Sequence, residues 1–348
     1  MRAAVMSGVG APRLVDIAVP EPGPGEVRVA VRACGVCGSD LHLIDGDIPV
    51  PEIPLILGHE ASGVIDKVGP GVSAPVAPGD RVLVNPIVVC GTCRACRAGR
   101  TNQCPDNIVL GVARAGAAAD YVVVPAGNVH RIPESIDFAT AAIMADAVAG
   151  PFHAIRTAGV RAGDTVAVFG LGGLGIHAVM ILKQVVGARV VGVDTYDAAL
   201  QRAAGFGVDI VIDARAGLPS QQIHAETGGV DASFEFVGRA DTVEQAVRSL
   251  RPGGLCSVMG IGTDKLGGSM SVSTFVANEW TLRGSYGYVP ADLDDLIELV
   301  GSGTLRIAGT ISHRMPLHDY QQGLATLRDR SRNPIRVVID VDNRPTDE

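Results

Sequence analysis

The chain has 348 residues, enough for two domains with separate cores, and 47% of them are hydrophobic. Net charge is −8, with no basic block and no aromatic–basic interleaving, which argues against a nucleic-acid partner. No apolar run of membrane-spanning length lacks charge or glycine, and the start, Met1-Arg2-Ala3-Ala4-Val5, has no signal-peptide core, so a soluble cytoplasmic protein with no membrane partner is expected.

Residues 1–35 read as strands. Val27 to Ala33 alternates with period two after the turn-rich Pro20-Glu21-Pro22-Gly23-Pro24-Gly25. Cys37-Gly38-Ser39-Asp40-Leu41-His42 then brings a thiol, a hydroxyl, a carboxylate and an imidazole together, and Gly58-His59-Glu60-Ala61-Ser62-Gly63 adds a second imidazole and carboxylate between glycines. Taken singly, such a cysteine is most often a small buried hydrophobe and such a histidine a loop residue. Together, Cys37 and His59 offer two ligands for a catalytic zinc, which takes three protein ligands and leaves a fourth position open. Ser39 and His42 would then carry a proton between the site and solvent. Further short strands, Gly63 to Gly69 and Asp80 to Val84, predict a compact, mainly β domain.

Four of the seven cysteines follow in a C-x2-C-x2-C-x7-C pattern: Cys90, Cys93, Cys96 and Cys104. Tight turns bring such thiolates around one tetrahedral ion, and four protein ligands leave no open position, so a structural zinc is expected. An iron–sulfur cluster or a redox pair is the competing reading. The odd cysteine count and the bunching suit metal in a reducing compartment better than disulfides.

From Phe138 the texture turns helical, with alanine-rich Ala139 to Ala149. Asp146 stands alone in this apolar stretch; by residue type it reads first as a buried cap or a satisfied core acid. Asp164 to Phe169 is an apolar strand, Gly170-Leu171-Gly172-Gly173-Leu174-Gly175 follows, then a helix through Lys183 to Val186 and the strand Arg189 to Val193 ending at Asp194. This is a βαβ unit whose glycines let backbone amides approach a pyrophosphate, while Asp194 hydrogen-bonds ribose hydroxyls and repels a 2′-phosphate; NAD is therefore expected over NADP. Strand candidates at 209–213, 232–237, 254–260 and 280–285 continue the α/β rhythm. Residues 292–300 and 320–330 read as helices, and the strand Ile335 to Ile339 is expected to return to the first domain.

These motifs together resemble the zinc-containing medium-chain alcohol dehydrogenases, over nearly the whole chain. The resemblance implies an α/β protein with a GroES-like β catalytic domain (1–147, with the zinc lobe at 90–104), a Rossmann doubly wound parallel-sheet domain (148–286) and a C-terminal segment (287–348) returning to the first, with the active site in the cleft between domains. It implies two zinc ions per chain and NAD. Cys37 and His59 look like catalytic-zinc ligands, Ser39 and His42 like the proton relay, Asp40 like the residue orienting His59, and Glu60 like the acid behind the zinc. Gly170, Gly172, Gly173 and Gly175 with Asp194 fall at the cofactor positions. Leu174 falls where a branched side chain backs the nicotinamide, and Arg336 where a pyrophosphate-binding arginine stands. Gly38 departs from relatives with a basic residue there. Asp146 followed by Pro151-Phe152-His153-Ala154 looks most like bacterial enzymes acting on secondary alcohols and ketones, and a homo-oligomer, tetramer or dimer, is implied. Ile48, Pro86, Ile87 and the segment near Leu110 are the candidate substrate-pocket lining. A zinc-free quinone or enone reductase, or a non-catalytic member of the superfamily, is the alternative.

The third catalytic-zinc ligand is sought among Glu60, Asp146, His153 and His42. His42 serves the relay. Glu60 adjoins His59 and should point away from the same metal in a regular strand. His153 follows Pro151, which disturbs a helix. Asp146 opens the crossing into the second domain, where the family carries a Cys, Asp or Glu ligand, and a metal would offset the cost of its charge. Cys37, His59 and Asp146 are the expected set.

Overall fold

A computed structural model describes residues 1–341. The chain forms two compact units: one from Met1–Asp146, Val289–Gly301 and the described residues from Ala308 on, the other from Ala147–Tyr288 and Ser302–Ile307. Residues 302–307 thus group with the second unit, inside the stretch assigned from sequence to the C-terminal segment.

The first unit is built around the strand Glu26–Val36, whose alternating valines are buried. It pairs antiparallel with Glu60–Val68, Tyr121–Pro125 and Arg336–Asp340. At its C-terminal end Gly35 faces Glu60 on one side and Val338 on the other. One strand end therefore gathers three chain points: the exit toward Cys37, the entry at His59–Glu60 and the entry at Arg336. The apolar core beneath joins Val29, Val31, Cys34, Val36 and Leu57 to Tyr320, Leu324, Val337 and Ile339, so C-terminal residues complete the packing of N-terminal ones.

The second unit holds a six-stranded parallel sheet in the order Ile210–Asp213, Arg189–Asp194, Thr165–Phe169, Val230–Glu235, Leu250–Val258, Thr281–Gly284. Its central strands are continuous apolar runs because helices cover both faces of a parallel sheet. Val166, Ala167, Val168 and Phe169 are all 0–1% exposed. Strand order reverses beside Thr165–Phe169, the place where such sheets bind ligands.

Phe138–Ala158 is the one helical run among the described residues long and apolar enough to cross a membrane, yet 83% of its most apolar window is buried inside the protein, as in a core helix. It is not uniform: an α-helix over Phe138–Ile143 widens to a π-turn over Met144–Val148 before resuming at Ala149–Ala158. Pro151 explains the widening. It has no N–H for the carbonyl of Ala147, and its ring crowds that carbonyl.

Candidate active site and metal centres

Cys37 follows the strand Glu26–Val36 directly and caps the helix Gly38–Asp45. The helix starts with a reciprocal capping box in which Asp40 Oδ2 accepts from Cys37 N at 2.8 Å. The other oxygen, Oδ1, lies 3.5 Å from His59 Nδ1. Asp40 is thus both a helix cap and a fully buried carboxylate facing the imidazole. His59 follows Gly58, whose φ of +90° lies in the left-handed region and whose Cβ would stand 2.7 Å from Ala118 N, so only glycine fits.

Asp146 arrives on the π-turn. Its Oδ2 is 3.4 Å from Cys37 Sγ and 3.7 Å from His59 Nε2. One ligand atom from each of Cys37, His59, Glu60 and Asp146 lies within 4.8 Å of the others. The expectation that Glu60 points away is corrected here. The regular strand begins at Glu60 itself, so the two-residue alternation does not govern the His59–Glu60 step. The carboxylate folds over Gly35 and is paired with Arg336, both ends sealed from solvent. Arg336, expected at the pyrophosphate, is engaged in this buried pair.

The field of the pocket calls for positive charge. Burial opposes charge on Asp146, but the hydrogen bond and charge of His59 outweigh it and hold the acid down to about 2. Burial likewise opposes protonated His59, yet Asp40 and Asp146 hold its pKa well above the usual value. Burial pushes Glu60 up to about 7 against the pull of Arg336. A thiolate, an imidazole and a carboxylate at this spacing form the donor set of a zinc ion, and Asp40 Oδ1, Glu60 Oε2 and His59 Nδ1, buried without a hydrogen-bond partner, lie around it. The residues fit the metal.

Ser39 Oγ is 3.2 Å from His59 Nε2. His42 lies outward, its side chain 47% exposed and its Nδ1 2.9 Å from Asp47 Oδ2. Leu110 itself, within the segment expected to line the substrate pocket, is 1% exposed and packs in the core.

Cys90, Cys93, Cys96 and Cys104 form the second cluster, with their sulfurs within 4.8 Å of one another and no disulfide among them. The short helix Arg94–Arg97 turns Cys96 back, so that its N–H donates to Cys93 Sγ at 3.4 Å while Cys93 N donates to Cys90 Sγ at 3.3 Å. Amides of Thr92 and Cys93 bring the Cys90 thiol down to about 6, whereas burial and the neighbouring sulfurs push Cys96 up to about 12.

In the second unit the glycine turn is closed on itself. Gly170 has φ +86°, and a Cβ on Gly175 would stand 1.8 Å from Gly170 O. Gly172 caps the helix Gly173–Ile181, with Leu174 half-buried in its first turn. Asp194 Oδ2 accepts from Leu171 N at 2.7 Å, tying the strand-end acid to the turn. A cradle without side chains at a helix N-terminus, joined to a carboxylate on the next strand, fits a dinucleotide.

Residues 23–134 match the alcohol dehydrogenase GroES-like domain and residues 173–302 the zinc-binding dehydrogenase domain. An alcohol dehydrogenase of Geobacillus stearothermophilus is 33% identical over 345 residues, 98% of this chain and 100% of that protein. An L-threonine 3-dehydrogenase of Anaeromyxobacter sp. is 35% identical over 336 residues, 93% of this chain and 94% of that protein. The crystal structure of an NAD-dependent alcohol dehydrogenase superposes with a TM-score of 0.89 at 31% identity, covering 98% of this chain and 100% of that one. The chain belongs to the zinc-binding medium-chain alcohol dehydrogenases. It is an oxidoreductase with a GroES-like domain and a Rossmann domain.

Sequence reasoning missed Gly35, the left-handed turn at Gly58 and the π-turn. The signal for the last was present: a proline four residues after Ala147 in an otherwise helical run.

Proposed function

We propose that this enzyme oxidises a secondary alcohol to its ketone, reversibly, with NAD as the electron acceptor. Cys37, His59 and Asp146 hold the catalytic zinc, and Cys90, Cys93, Cys96 and Cys104 hold a structural one. The observation that carries the reading is the convergence of Cys37, His59 and Asp146 from three separate chain segments to within 4.8 Å. When bound, zinc would supply Lewis acidity toward the alcohol oxygen and NAD would accept the carbinol hydrogen as a hydride. The protein's own groups do the rest. Asp40 fixes the imidazole ring from its Nδ1 side. Ser39, beside His59 Nε2, receives the hydroxyl proton, and His42, facing solvent with Asp47 at Nδ1, delivers it outward. Glu60 and Arg336 form the charged floor of the site.

The secondary-alcohol reading is supported by the relative named for the 3-position of threonine, a secondary carbinol. NAD over NADP is supported by Asp194 on the turn, where a 2′-phosphate meets a carboxylate. Seven free thiols suit a reducing, cytoplasmic setting. A homo-oligomer is supported by the edge strand Thr281–Gly284, which among the described residues pairs on one side only, with Leu250–Val258. The nearby helix Val272–Ala277 leaves Val272 and Val276 80% and 65% exposed.

The test is a panel of primary, secondary and cyclic alcohols with NAD and with NADP, followed at the reduced-nicotinamide absorbance band. The reading requires secondary alcohols and NAD to give the highest kcat/KM. Turnover of quinones or enones alone by a zinc-free protein would establish the reductase alternative.

A further inference from the structure

Gly170 and Gly172 flank Leu171 at the dinucleotide turn, and glycine permits such a turn without fixing it. Leu171 is nevertheless held at three points. Its N–H donates to Asp194 Oδ2 at 2.7 Å. Its carbonyl accepts from Arg202 Nη2 at 3.3 Å. Its side chain, 0% exposed, lies over Gly192, where a Cβ would stand 3.2 Å from Leu171 Cδ1. Gly192 and Asp194 belong to the strand Arg189–Asp194, and Arg202 to the following helix Asp197–Gly205. The ββ-neighbour that reads the ribose thus also clamps the turn that takes the pyrophosphate.

Asp194 Oδ1 accepts from the N–H groups of Thr195 and Tyr196 at 2.7 and 2.9 Å, so three of the roughly four acceptor sites of the carboxylate are filled from the backbone. What remains suits a ribose hydroxyl. Arg202 is half-buried, and burial pushes its guanidinium down while Asp194 and Tyr196 pull it back. Its reach to the Leu171 carbonyl directs the charge at the turn.

We propose that Arg202 is a positioning residue for the cofactor: by holding the Leu171 carbonyl opposite the Asp194 grip on the Leu171 N–H, it sets the glycine turn in its receiving form before the cofactor arrives. This rests on the dinucleotide reading above. A preformed turn spares the cofactor the ordering of two glycine-flanked peptide groups, so the effect belongs in affinity.

The experiment compares wild type, Arg202→Met and Arg202→Lys by hydrogen exchange at the Leu171 amide without cofactor, by calorimetric titration with NAD, NADP and ADP-ribose, and by steady-state kinetics. Loss of one charge-assisted hydrogen bond predicts Leu171 exchange about tenfold faster and NAD and ADP-ribose binding about tenfold weaker in Arg202→Met. The kinetic loss falls in KM for NAD rather than kcat, and Arg202→Lys recovers part of it. Unchanged Leu171 exchange overturns the proposal, and so does a loss confined to NADP, which would make Arg202 a reader of the 2′-phosphate. Should Arg202→Met fail to fold, Arg202→Lys carries the exchange measurement. Wild type that binds neither NAD nor ADP-ribose would sink the dinucleotide reading, while exchange at Leu171 still decides whether Arg202 sets the turn.

Discussion

Gly35 and Glu60 face each other across two antiparallel strands, and a Cβ on Gly35 would stand 1.9 Å from Glu60 Oε2. The absent side chain is the space in which the buried carboxylate lies. Since Glu60 also holds Arg336, a glycine on the strand Glu26–Val36 determines where two buried charges sit beside Cys37, His59 and Asp146.

Gly35→Ala is expected to displace that carboxylate at a cost of about 1–3 kcal/mol, typical of overpacking in a closed site. The melting temperature falls, and the catalytic zinc binds more weakly while the cysteine-lobe zinc stays. Zinc per chain during stepwise chelation checks this; simultaneous release of both ions would contradict it.

The Glu60–Arg336 pair is sealed, with side chains 0% and 2% exposed. Removing Glu60 leaves the guanidinium of Arg336 as an uncompensated buried charge, so Glu60→Gln should cost about 3–5 kcal/mol. Glu60→Gln combined with Arg336→Met should recover much of the loss. Denaturant melts of the single and double variants measure the coupling, and additive losses would show that the two charges act independently.

Cys93→Ser removes one sulfur of the lobe and the acceptor of the Cys96 N–H. One zinc per chain should be lost together with thermal stability, while turnover per correctly folded chain changes far less. Elemental analysis beside a melting curve reads both; an unaltered zinc count and melting temperature would remove the structural zinc from this lobe.

The cysteine lobe and the glycine turn were legible because each is written in consecutive residues whose spacing already carries the chemistry. Cys37 and His59 were legible as residue types, but their meeting depends on the register of Glu26–Val36 against Glu60–Val68, which neither motif contains. The direction of Glu60 was misread because alternation was applied across the first residue of a strand, where Gly58 at φ +90° has already turned the chain. The reach of Asp146 depends on a π-turn, and helical periodicity alone does not place its carboxylate. The partnership of Arg336 with Glu60 spans most of the chain and has no local signal.

Zinc stoichiometry of purified Asp146→Ala, read beside its turnover, tests the ligand set Cys37, His59 and Asp146. The expected result is a folded protein holding one zinc per chain instead of two, with nearly all turnover gone, because two remaining ligands do not retain the ion. Two zincs per chain with ordinary turnover would contradict it and move the third position to Glu60.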